Sequence, residues 1–225
     1  MRSILLIWGV ICCMQVNAES SKTEYRKSFP KNGIEEVMLS NRNGGVEIMQ
    51  TSKDSIYITA VVSVVAKTQN KADELSDFIR IEDELTDKYL NVSTVFAKDM
   101  TFNQLLAGVE LNISYKINLP IGIKLRLINA DGNVFLDDFS GDLNLDVKSC
   151  NVRVGKVTKG ELMIKQTGGN FKVMDVDYLN GEFKSCMVRI DVANIVQLSM
   201  RDCEGRFESV EDLKLTTNGG TMRFG

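Results

Sequence analysis

From Ile123 to Gly225 short apolar runs alternate with Gly, Asn, Asp and Cys corners, and each corner is followed at once by a further apolar residue. Those second residues are Val134, Val152, Phe171, Val188, Phe207 and Met222, with successive spacings of 18, 19, 17, 19 and 15. The apolar runs before the corners place Leu127, Val147, Ile164, Phe183, Met200 and Leu215 in a second column. A repeat near eighteen residues is too short for a helical pair and predicts stacked β-coils. Stacked about 4.8 Å apart, the coils would bury both columns as continuous ladders. The expected fold is therefore all-β: a single-stranded β-helix, or β-solenoid, with coils of about 18 residues over 121–225.

Upstream, over 19–120, the pattern has period two, as half-buried strands require. Alternation predicts strands over Glu24–Phe29, Ile34–Leu39, Tyr89–Phe96 and Val109–Leu119, separated by turn chemistry such as Asn41-Arg42-Asn43-Gly44-Gly45. Ser55–Ala66 is rich in Ile and Val and ends nearly continuous, as a buried strand would. Asn70–Phe78 breaks the pattern. With Asn70 as cap and Leu75 and Phe78 three apart, it predicts one short helix inserted among the strands. Arg80–Asp87 reads as a solvated strand and turn, and Lys98–Gly108 as a long loop or brief helical turn.

Residues 1–18 change the picture. Arg2, the apolar run Ile4–Met14 and Val16-Asn17-Ala18 have the layout of a cleaved signal peptide. Ile11 before Cys12 disfavours lipid attachment, so the expectation is export to the periplasm, cell surface or extracellular space. The remainder, 19–225, reads as one domain with no transmembrane segment. Its 26 basic and 30 acidic residues give a net charge of −4, which disfavours nucleic acid as a partner. There is no histidine, and the single tryptophan, Trp8, leaves with the signal. The usual general base and the commonest metal ligand are thus missing.

The segments LSNRNGGVEI (39–48), ITAVVSVVA (58–66) and YKINLPIGIKLRLINADGNVFL (115–136), followed by turns such as TGGNF and TNGGTMRF, resemble a bacterial family of domains of unknown function named "putative adhesin". The Leu119-Pro120-x-Gly122 turn with Asn129-Ala130-Asp131-Gly132 is the most telling part, and the resemblance spans nearly all of 19–225. It implies an exported β-solenoid without catalytic activity, serving as a surface or periplasmic binding and scaffolding module. Its partner would be a protein or glycan of the surface or envelope. The competing readings are a carbohydrate-active β-helix enzyme and an envelope-stress module acting through a protein partner.

Few residues carry candidate chemistry. Cys150, Cys186 and Cys203 align in one corner column with Ala130, Thr167 and Asn218. They read as a ladder of small buried side chains, or, at neighbouring Cys186 and Cys203, as a candidate disulfide in an oxidising compartment. The carboxylates Asp131, Asp137, Asp138, Asp142 and Asp146 lack the spacing of a calcium loop. Asp137 and Asp138 are adjacent on one strand and point to opposite faces, unlike the pair a glycosidase needs. No catalytic residue, metal or cofactor is expected. At the end of the repeat, Arg223 and Phe224 sit on an uncapped coil and are the candidate edge interface for weak self-association.

Overall fold

The computed structural model describes residues 18–97 and 108–225. Residues 1–17 of the expected signal segment, 1–18, and most of the stretch 98–108 lie outside the described residues. The elements are β1 (Glu19–Pro30), β2 (Glu36–Arg42), β3 (Val46–Thr51), β4 (Ser55–Ala66), α1 (Gln69–Asp77), β5 (Ile79–Leu85), β6 (Tyr89–Phe96), β7 (Glu110–Pro120), β8 (Lys124–Leu136), β9 (Phe139–Ser140) and β10 (Leu143–Phe224). The helix caps on Thr68, whose hydroxyl accepts the Lys71 N–H, and not on Asn70. Among the described residues, no helix is long and apolar enough to cross a membrane.

The strands form one mixed sheet whose main path runs β1-β4-β7-β3-β8-β2-β6-β5, with β9 and β10 attached beyond β8. This overturns the single-stranded β-solenoid. In a solenoid every neighbour is parallel, whereas here β4 lies antiparallel between β1 and β7, and β5 is antiparallel to β6. Side-chain alternation states which residues face inward but not which strand lies alongside, so the antiparallel pairings left no mark on the periodicity. The 18-residue spacing persists locally as a parallel register, with Leu143 beside Leu125 and Val152 beside Val134.

The two ends of the path come together. The Tyr25 hydroxyl on β1 donates to Asp83 Oδ1 on β5 at 2.8 Å, and Lys27 Nζ lies 2.6 Å from Asp83 Oδ2. Below them Thr23 and Ser76 share a hydrogen bond of 2.9 Å, and α1 packs Ala72 and Leu75 against β1 and β4. The wall is thereby nearly closed into a barrel-like form, with side chains such as Leu39, Ile58, Ile113 and Leu127 filling it.

One strand turns the corner between the two parts. β8 pairs through Lys124–Ala130 with β2 and through Val134–Leu136 with β3, bending at Asp131, where φ is +57°. At that bend a Cβ on Gly132 would come within 1.9 Å of the Gly44 carbonyl oxygen, so only glycine permits the stacking. β10 makes similar bends at Ser149, Lys159, Gly168-Gly169, Ser185, Asp202 and Gly219-Gly220, with φ between +51° and +94°. Both predicted apolar columns are buried except at their last members, Leu215 and Met222, which are partly buried.

Candidate functional site: a polar corner and an outward face

The corners enclose a chain of buried polar groups. Alternation puts Asn41 and Asn129 inside, and the close backbone stacking puts carbonyls beside them. Asn41 Nδ2 donates to the Ile113 carbonyl (3.1 Å) and to Asn129 Oδ1 (3.0 Å), while its Oδ1 accepts from Thr94, whose hydroxyl also meets Tyr115 at 2.7 Å. Burial pushes the Tyr115 phenol up to about 12, against the lowering effect of Thr94. Asn129 Nδ2 reaches the Gly44 carbonyl (3.3 Å) and Cys150 Sγ (3.4 Å). Gln166 Nε2 continues the chain to the carbonyls of Cys150 (3.0 Å) and Gly168 (3.1 Å). These contacts satisfy backbone groups that the bends leave without a ladder partner.

Cys150, Cys186 and Cys203 are buried, free thiols along this corner. The thiols of Cys150, Cys186 and Cys203 donate to the carbonyls of Lys148, Lys184 and Arg201, each at 3.1 Å. The register sets Cys150 opposite Gly132, two residues from the expected Ala130. Cys186 and Cys203 are neighbours, the Cys186 N–H donating to Cys203 Sγ at 3.4 Å. Burial, then the adjacent Cys203, raises the Cys186 thiol to about 11. Burial raises Cys150 as well, outweighing the hydrogen bonds that favour its thiolate. A thiol held protonated is a poor nucleophile, so the corner is suited to packing and hydrogen bonding.

The carboxylates do not converge. Asp138 Oδ1 accepts the Lys156 N–H at 2.9 Å, and Asp142 accepts the Glu161 N–H while pairing with Lys124 at 2.8 Å. Asp131 occupies the bend itself. Among the described residues no group of three His, Cys, Asp or Glu side chains is placed to hold a metal ion.

The opposite, outward side of β8 and β10 has a different character. Phe135, Met174 and Met187 are 48%, 46% and 54% exposed, on positions where alternation would put polar residues. Phe135 lies beside Arg153 in the parallel register, and with Met49, Asp137 and Met174 they line a shallow depression of about 580 Å³. A second depression of about 370 Å³ lies further along β10. Its lining includes Phe171, Val188, Met187, Lys172, Arg189 and Arg223. Ion pairs order its rim: Lys172 and Arg189 both hold Asp191, at 2.9 and 2.6 Å, and Arg189 also approaches Glu208 at 3.5 Å. Burial would raise the Asp191 carboxyl, but its two cations hold it below the usual carboxylate range. Arg153 and Arg223 have no ion pair among the described residues. Phe224 is 62% exposed and stacks on Phe207 with centroids 5.4 Å apart.

The predicted residues thus fall in two places. Cys186 and Cys203 meet at the inner corner, and Arg223 and Phe224 lie at the far end of the outward face. The polar insiders Asn41, Asn129 and Gln166 escaped the sequence reading, although Asn129 stands in the alternation Leu125, Leu127 where an apolar residue is due. Phe135, Met174 and Met187 escaped it too, because outward apolar residues look like extra core in a continuous apolar run.

No family model matches the chain, and no curated protein matches it. Among solved structures it is similar to a "putative cell adhesion protein" from Clostridium sporogenes, at 15% identity over 91% of this chain and 99% of that one, with a TM-score of 0.38. It is similar also to a "putative adhesin" from Parabacteroides merdae, at 13% identity over 88% and 95% with a TM-score of 0.40. A further "putative adhesin", from Bacteroides fragilis, gives 11% identity over 91% and 98%, also at 0.40. These are proteins of the kind that the sequence resemblance names.

Proposed function

We propose that the chain is an exported, non-catalytic binding module, adhesin-like in its mode of action, which holds a protein or glycan of the cell surface or envelope on the outward face of β8 and β10. The observation that carries this reading is the exposed trio Phe135, Met174 and Met187, set in two shallow depressions beside Arg153, Lys172 and Arg189. Large apolar side chains left outward on successive strands favour contact with a partner. An apolar face of one phenylalanine and two methionines flanked by guanidinium groups suits the apolar faces and hydroxyl or carboxylate groups of a glycan, and equally a peptide strand. The buried corner, with its packed and hydrogen-bonded thiols, serves the rigidity of that face. The test is binding by the purified protein and by variants of the outward face, measured against immobilised envelope polysaccharide and envelope protein.

A further inference from the structure

The last run of β10, residues 208–224, differs from every run before it. On the preceding run Ile190, Val196, Leu198, Met200 and Phe207 are buried. On the last run the inward residues Val210, Leu213, Leu215 and Met222 are only partly buried. Its inner side is engaged: the Gly225 N–H donates to the Phe207 carbonyl at 2.8 Å, and Gly220 stacks against the Cys203 carbonyl. Among the described residues nothing covers its outer side, which therefore offers strand N–H and C=O groups and the rim of an open core.

The sequence of this run says what fits there. Asp212 and Lys214 flank Leu213, both are exposed, and neither has an ion pair among the described residues. In an antiparallel pair of two such strands, a two-fold axis at Leu213 sets Leu213 against its own copy. The same axis sets Asp212 of each copy opposite Lys214 of the other, on one face of the ladder. A parallel arrangement in register would instead oppose like charges. Self-complementarity of this kind is what an isologous interface requires. We propose that the outer edge of residues 208–218, before the bend at Gly219-Gly220, docks a second copy of this chain, antiparallel about Leu213, with two Asp212–Lys214 pairs across the axis. In that register the open core rim is covered at Leu213 by the copy's own Leu213 and at Leu215 by the aliphatic stem of the copy's Glu211.

Sedimentation velocity of the purified protein, at concentrations up to about 1 mM, tests this with two single variants and their combination. The expected result is a dimer for the natural chain, monomers for Asp212→Lys and Lys214→Asp, and a dimer again when both changes are in one chain. An equimolar mixture of the two single variants should form heterodimers, because each lysine pair then faces an aspartate pair. Melting temperatures of the variants establish that each is folded. A natural chain that stays monomeric throughout would overturn the proposal. So would a dimer that the single variants leave intact, or single variants that fail to recombine in the mixture.

Discussion

The Tyr25 hydroxyl donates to Asp83 Oδ1 at 2.8 Å, joining the first strand of the sheet path to the last. Burial would raise the Asp83 carboxyl, but hydrogen bonds from Lys27 and Tyr25 outweigh it and hold the group below its ordinary value. Burial, with Asp83 second, raises the Tyr25 phenol. A carboxyl depressed in the folded state stabilises it above the unfolded value near about 3.9, and that contribution is lost as pH falls through the folded value. Tyr25→Phe is expected to cost about 1–2 kcal/mol at pH 7, toward the lower end for a charged hydrogen bond because the site is partly exposed. Urea melts should find Asp83→Asn less stable than the natural chain at pH 7. The difference should shrink as pH falls through the depressed folded value of Asp83 and close below it, where both carry a neutral side chain.

Phe171 and Phe183 meet inside the β10 region with centroids 5.2 Å apart and planes tilted by 41°. Either Phe→Ala change should cost about 3–5 kcal/mol, seen in thermal or chemical melts. Room for the Phe183 ring comes from Gly181, where an added Cβ would lie 2.6 Å from Phe183 Cε2 and 2.8 Å from Leu198 Cδ2. Gly181→Ala should therefore destabilise by about 1–3 kcal/mol through overpacking, although alanine is otherwise the better strand residue.

The thiols give a chemical readout of the corner. Cys186, raised to about 11 by burial and by Cys203 beside it, carries almost no thiolate at pH 8, and all three thiols are buried away from reagent. Iodoacetamide should leave all three cysteines of the folded, reduced protein unlabelled and should label them together on unfolding. Oxidation should join Cys186 to Cys203, seen as a mass two units lower and as a linked peptide pair. A bridge to Cys150 would contradict the observed register. Cys150→Ser, which keeps a donor for the Lys148 carbonyl, should leave binding unchanged with a modest loss of stability.

Inward and outward assignments were largely readable from the residues, while neighbour relationships were not. Ser55–Ala66 and Tyr89–Phe96 are strands with the expected bounds, and the Val134-to-Phe207 column is buried, because burial follows from alternation along one strand. The parallel 18-residue offset between β8 and β10 was also written in the spacing. The antiparallel place of β4 between β1 and β7 was not, since Ile58 alternates in the same way whichever strand lies beside it. The closure through Tyr25, Lys27 and Asp83 joins residues more than fifty positions apart and left no local signal. The Asn41–Asn129 contact spans 88 positions and depends on the bend at Asp131.

The central claim, that the outward face of β8 and β10 is a binding surface, is tested most directly at Phe135 and Met187. Both are exposed, so Phe135→Ser and Met187→Ser should change stability by no more than about 0.5 kcal/mol. The measurement is equilibrium binding of the purified protein to immobilised envelope polysaccharide and, separately, to envelope protein. Saturable binding to one of the two is predicted, weakened at least about tenfold by each substitution, which corresponds to 1.4 kcal/mol or more. A natural chain that binds neither surface, or substituted chains that bind as tightly as the natural one, would contradict it.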